Sequence, residues 1–247
     1  MPAQRVRCSR IRHKGARSVS QRIKPGATEG YTMEALCARI VERHGERIRV
    51  RKQPLAVANL ARIVGAFLRL SNRKGFHATS LRELASEAGL SMGGLYSYFD
   101  SKETLLLMVL GEVSTTLKEV MDTAPADIAR DPLAHLKWVI ATHVHLTEKM
   151  QPWFVFAYME AKSFPKSARN AAVDSELLAE NVLADILARG NTSGAFAVSD
   201  PALTAALIKP LLQDWYVKRA KYRKRGTSID HYVETITRMV ELATRAA

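Results

Sequence analysis

A chain of 247 residues, 47% of them hydrophobic, can bury one sizeable core or two smaller ones. No uninterrupted apolar run reaches the roughly 20 residues of a membrane span. The two cysteines, Cys8 and Cys37, offer neither metal-ligand spacing nor a disulfide framework, so a cytoplasmic protein with no membrane and no metal partner is expected. The net charge of +13 is lopsided: residues 1–53 hold 14 Lys and Arg against 4 Asp and Glu, residues 111–247 hold 17 against 16. Such asymmetry points to a polyanionic partner, most often nucleic acid, or to a basic tail.

Residues 1–32 open the chain as a basic, disordered arm. "RVRCSRIRHKGARSVSQRIKPG" carries eight Arg and Lys and no acid, with too little apolar surface to order itself. It reads as a DNA-contacting arm, a transit peptide, or an upstream extension ahead of a working start at Met33. Residues 33–53 are an additional N-terminal helix, with Met33, Leu36, Cys37, Ile40 and Val41 on one stripe. Val57, Leu60, Ala61, Val64, Phe67 and Leu68 form the next helical face, which stops near Lys74 and Gly75. Leu81, Leu84, Ala85 and Ala88 mark a short helix, residues 89–102 hold another, and 105–120 a longer one. Beyond Pro125 the helical segments run 131–150, 152–163, 167–189, 201–225 and 228–246, broken at "MQPW", "SFPKS", "RGNTSG" and "KRGTS". The fold class is all-α.

Residues 79–98 have the pattern of a helix-turn-helix. Ser80 and Glu83 suit a capping box. Ala85 is small enough for a close helix crossing, Gly89 supplies the turn, and Ser91 caps the next helix. Leu95 and Phe99 point back to the core. Gly93 and Gly94 each cost a helix about 1 kcal/mol relative to alanine. A helix that presses its first turn into a DNA groove gains from having no side chain there. The phenols of Tyr96 and Tyr98 are stiff donors suited to phosphates. Ser101 caps the following helix and brings Lys102 near another phosphate.

The stretch "ATSLRELASEAGLSMGGLYSYFDSKETLL" resembles the DNA-binding signature of the tetracycline-repressor-type (TetR/AcrR) regulators, a likeness that runs over residues 56–113. The resemblance implies a helix-turn-helix head over 54–114 and an effector-binding and dimerisation domain over 115–247. It implies a cytoplasmic, nucleoid-associated regulator, most simply a repressor. Such a regulator binds a near-palindromic operator in double-stranded DNA as a homodimer and is released by a small apolar effector. It implies that Thr79, Ser80, Tyr96, Tyr98 and Lys102 clamp phosphates. Arg82, Met92, Gly94 and Ser97 would face the groove, with Ser91 at the start of the recognition helix. The chain departs from the family at Met92, often polar or basic there, and at Gly94, often threonine. Arg82 is left as the guanine-reading candidate. Shape readout and contact of Met92 with thymine methyls should carry more of the specificity.

Residues 193–208 resemble the family's link into its dimer helices. Trp138, His143, Phe154, Phe156, Tyr158, Met159 and Trp215 are candidates for a pocket wall, although aromatic runs on helices are also ordinary core. Glu160 and Lys162 could anchor a head group or face water. The basic run at 216–226 opposes a helix dipole or meets a phosphate-bearing effector such as an acyl-coenzyme A. His143 and His145 lie about 200° apart on a helix and do not share a metal. No cofactor or catalytic motif stands out. The competing readings are an enzyme without a recognisable motif and a non-specific DNA-coating protein.

Overall fold

The computed structural model describes residues 30–246. The basic arm read at 1–32 lies outside the described residues except for its last three positions, and Cys8 lies outside as well.

The first helix, α1 (Met33–Arg43), starts where Thr32 Oγ1 accepts the N–H of Ala35 at 3.1 Å. It buries Leu36, Cys37, Ile40 and Val41 against α2 (Gln53–Lys74). The helix expected across 33–53 is therefore shorter. After Arg43 the chain turns, and residues 48–52 form no helix, with Ile48 buried between exposed arginines. Helix α2 is long and apolar enough to cross a membrane by composition alone, but it is the central helix of the head, buried against α1 and α3 (Leu81–Ala88). The short α4 (Met92–Leu95) and the long α5 (Lys102–Met121) follow. Glu112 of α5 is buried and held by Arg39 Nε at 3.0 Å, by Arg43, and by Thr116 Oγ1 at 3.0 Å. This cluster bolts α1 to the helix that leads out of the head.

The body contains α6 (Ala126–Arg130), α7 (Pro132–Lys149), α8 (Gln151–Met159), a 3-10 turn at Ala161–Ser163, α9 (Lys166–Ser193), α10 (Pro201–Val217), α11 (Arg219–Lys224) and α12 (Ile229–Thr244). Among the described residues no strand forms beyond one isolated bridge, Phe196 with Arg245. Helix α9 passes through the break expected at 189 and ends at Gly194, whose φ of 76° is left-handed. The physical reason is Phe196: its ring lies where a Cβ on Gly190 would sit, 1.9 Å away. Gly190 thus makes room for a folded-back ring and does not end the helix. The segment expected over 201–225 divides at Lys218 into α10 and α11.

Head and body meet along an aromatic seam. The Phe67 and Phe156 rings lie 5.0 Å apart, and Phe76 and Phe164 5.7 Å. Polar bonds lock the same seam: Phe76 N–H donates to Glu160 at 2.7 Å and Asn72 donates to the Pro152 carbonyl at 3.0 Å. On the far side of the body, Leu203 and Leu207 of α10 and Met239 and Leu242 of α12 are exposed by more than half.

Candidate nucleic-acid interface and effector cavity

Helix α3 begins with the expected capping box. Ser80 Oγ accepts the Glu83 N–H at 3.2 Å, and the Glu83 carboxylate accepts the Ser80 N–H at 3.1 Å. Hydrogen bonds from Lys74 and Ser80 hold the Glu83 carboxyl down at about 2. Gly89 closes the helix with φ 64°, and Arg62 donates to its carbonyl at 2.9 Å. Ser91 Oγ then accepts the Gly94 N–H at 3.0 Å and starts α4. Helix α4 is a single turn, continued by a turn that leads to Phe99.

The two glycines have ordinary helical φ values, so no backbone strain demands them. A Cβ on Gly93 would meet nothing within 4 Å, and one on Gly94 only the Ser91 hydroxyl at 3.3 Å and Leu90. Nothing among the described residues requires Gly93. It is exposed, as are Arg82 and Tyr96 in the same motif. Met92 is half-buried against the core. Ser97 Oγ spends its proton on the Gly93 carbonyl at 3.1 Å and keeps only acceptor capacity toward a partner.

Three expected phosphate clamps are corrected. Thr79 is fully buried and its hydroxyl donates to the Gly75 carbonyl at 3.0 Å. Tyr98 is 1% exposed, its hydroxyl enclosed in the head core. Its large ring fills space that the two short helices cannot fill alone. Lys102 Nζ donates to the carbonyls of Phe76 at 2.9 Å, His77 at 3.3 Å and Thr79 at 2.9 Å, with the Phe76 ring 4.4 Å away. An ammonium has three donors, and all three are used on the chain's own loop.

The body holds a small cavity of about 20 Å³, room for one water molecule. Leu110, Val113 and Leu117 of α5 line it with His143, Phe154, Glu176 and Lys209. Lys209 is 3% exposed and sits 2.8 Å from Glu176, which also accepts from Gln213. His143 Nδ1 is buried with no hydrogen-bond partner among the described residues, and burial, with Lys209 near, holds its pKa well below the usual value. Of the expected pocket residues, His143 and Phe154 reach this cavity. Trp138 packs by His135, and Phe156 belongs to the seam. Tyr158 and Met159 are exposed, and Trp215 stacks on Tyr222 while its indole N–H donates to Glu148 at 2.8 Å. These five do not line it: of α8's aromatic residues, Phe154 faces the cavity, Phe156 faces the head and Tyr158 is exposed. Lys209 was missed, although a lone lysine inside "ALIKPLL" is a signal.

Half of the basic run at 216–226 is engaged internally. Lys218 and Lys221 pair with Asp214, and Arg219 pairs with Glu148 at 2.9 Å over the Trp215 ring. His145 lies 3.5 Å from Asp230, away from His143's cavity.

Two family models match the chain: "Bacterial regulatory proteins, tetR family" over residues 63–109, and "Tetracyclin repressor-like, C-terminal domain" over 129–240. The transcriptional regulator HbdR of Aromatoleum sp. (strain CIB) is 24% identical over 187 residues, 72% of this chain and 78% of HbdR. A tetR-family protein from Rhodococcus RHA1 superposes with TM-score 0.63 at 24% identity, covering 74% of this chain and 96% of that one. AibR, solved with isovaleryl coenzyme A and operator DNA, superposes with TM-score 0.61 at 17% identity, over 72% of this chain and 97% of AibR.

Proposed function

The chain belongs to the tetR family of bacterial regulatory proteins and is a DNA-binding transcriptional regulator, not an enzyme; from that premise we propose that it acts as a homodimeric repressor on a near-palindromic operator. Regulators of this family work in the cytoplasm, and this one would sit on the nucleoid through its operator. The observation that carries the reading is the bare surface at Gly93, where the structure has no internal use for glycine. Around it, Arg82 reads a guanine edge, Met92 and Gly94 approach the bases, and Ser97 accepts from a base amino group. Ser80, Ser91 and Tyr96 position the backbone. Exposed Leu203, Leu207, Met239 and Leu242 supply the apolar faces of a two-fold helix bundle. Half-sites then lie about one DNA turn, or a multiple, apart.

The effector enters at Lys209 and His143, where a carbonyl or carboxylate would satisfy the orphaned imidazole and share the ammonium now held by Glu176. An acyl-coenzyme A, the ligand class of AibR, meets this with an apolar tail and a thioester carbonyl. So small a cavity must widen to admit one. Pro210, next to Lys209, deprives α10 of a backbone hydrogen bond where the helix would give way. Leu110, Val113 and Leu117 carry the change to α5, whose first residue, Lys102, fixes the loop ahead of α3. Coupling of about 1–3 kcal/mol changes operator affinity roughly 5- to 150-fold.

The test is selection of duplexes from a random DNA pool, followed by titration of the bound complex with isovaleryl, octanoyl and stearoyl coenzyme A. A near-palindromic consensus, released by one chain length in wild type and not in Lys209→Met, supports the reading. Uniform binding of all duplexes with a steep salt slope replaces it with the DNA-coating alternative.

A further inference from the structure

The connection between α1 and α2 carries four cations whose side chains are exposed and unpartnered among the described residues. Residues 48–52 form no helix, and burial alternates along them: Ile48 is buried and Val50 half-buried, while Arg49 and Arg51 are exposed beside exposed Arg47 and Lys52. The side chains of the four make no hydrogen bond and no ion pair among the described residues. Arg39, Arg43, Arg62 and Arg69 of the same head are all engaged. The strap is also fixed in place. The Arg49 backbone N–H donates to the Ser97 carbonyl at 2.8 Å, on the turn that follows α4. One end of the strap leads from α1, which Glu112 clamps to α5, and the other enters α2 at Pro54. Four like charges held within six residues repel one another and gain from a polyanion. Residues 47–52 precede both family matches, which begin at 63 and at 129.

We propose that this strap is a second DNA-contact element, in which Arg47, Arg49, Arg51 and Lys52 bind backbone phosphates flanking the half-site that the recognition turn reads. The inference rests on the operator reading above. Alternate residues of an extended chain stand about 6.6 Å apart, a spacing at which Arg49 and Arg51 can each take a separate phosphate, with Arg47 on the turn just before them. The Ser97 anchor ties the strap's register to the recognition turn, so phosphate binding also sets how that turn enters the groove.

The experiment uses the full chain and the duplex it selects from a random pool. Affinity is measured over a salt series for wild type, for R47Q/R49Q/R51Q and for R47K/R49K/R51K, on that duplex and on one trimmed at both ends. The Gln variant should keep the consensus and bind about tenfold to a hundredfold more weakly at physiological salt. Its slope of log affinity against log salt should be smaller by about 2–3. Trimming should weaken wild type and weaken the Gln variant, which keeps Lys52, much less, and the Lys variant should keep the wild-type slope. A retained consensus with an unchanged slope overturns the strap and leaves the operator reading intact. Equal loss in the Lys and Gln variants also overturns it, since a phosphate contact needs the charge. No consensus for wild type overturns the operator reading and the strap together.

Discussion

The head and the body of this protein are fastened by different forces. The head's α3 has 8 residues and α4 only 4, too short to be held by burial alone. Side-chain bonds to the backbone fix them instead: Ser80 with Glu83, Ser91 with Gly94, Arg62 with Gly89, and Lys102 with three carbonyls. The body's α7 and α9 have 18 and 28 residues and are held by apolar packing around a nearly filled interior. A head fixed by directional bonds presents one defined surface. A body fixed by packing can repack around a guest. Perturbing one fastening at a time tests that contrast.

The largest loss belongs to the seam. Phe156 is fully buried between Phe67 and Phe164, so Phe156→Ala should cost about 3–5 kcal/mol. Met159, three residues on and 56% exposed, should change by less than about 0.5 kcal/mol on substitution with alanine. Urea unfolding of both variants measures the difference. Equal effects would mean that α8 does not face the head.

A smaller loss should follow in the head. Lys102→Ala strips donors from three carbonyls and should cost about 1–3 kcal/mol. Because Nζ is spent within the chain, the salt slope of DNA binding should stay as in wild type. A slope reduced by about 1 with unchanged stability would return Lys102 to the phosphate role that the family resemblance implies.

The body's buried histidine gives a pH signature. His143 has a pKa held well below its usual value by burial and by Lys209, so the unfolded chain binds a proton that the folded chain refuses. Stability should therefore hold above about pH 6.5 and fall as the pH drops below it, by up to about 1.4 kcal/mol per pH unit from this group. His143→Asn should flatten that fall in melting curves taken between pH 7.5 and 5.5. An unaltered acid limb would mean that His143 already takes up a proton in the folded body.

These contrasts also explain what the sequence could and could not reveal. Capping chemistry is local, so Ser80, Glu83, Gly89, Ser91 and Ser101 could be placed from spacing alone. Tyr98 and Lys102 looked equally local, yet their partners come from α2 and the loop after it, at separations that spacing does not encode. In the aromatic stretch, apolar character announced burial without saying against what. Gly190 misled because its role is set by Phe196 folding back, a tertiary fact. The strap was legible in principle: Ile48 and Val50 alternate with arginines, a period of two between segments of helical period.

The smallest expected effect is the most discriminating, because its two parts have opposite signs. Gly93→Ala places a methyl group in open space on a helical turn of ordinary φ. Within the chain this can only help, since alanine restricts the unfolded backbone and favours the helix, a gain of up to about 1 kcal/mol. Against DNA the same methyl stands between the first turn of α4 and the base edges, where a loss of about 1 kcal/mol is roughly fivefold in affinity. A buried structural glycine would instead lose stability, and a merely tolerated one would gain stability with no change in binding. Melting temperature and operator affinity, measured on the same preparation, separate these cases. Greater stability with weaker binding identifies a residue kept for a surface outside the chain, which is the property that sets this turn apart from every packed glycine in the body.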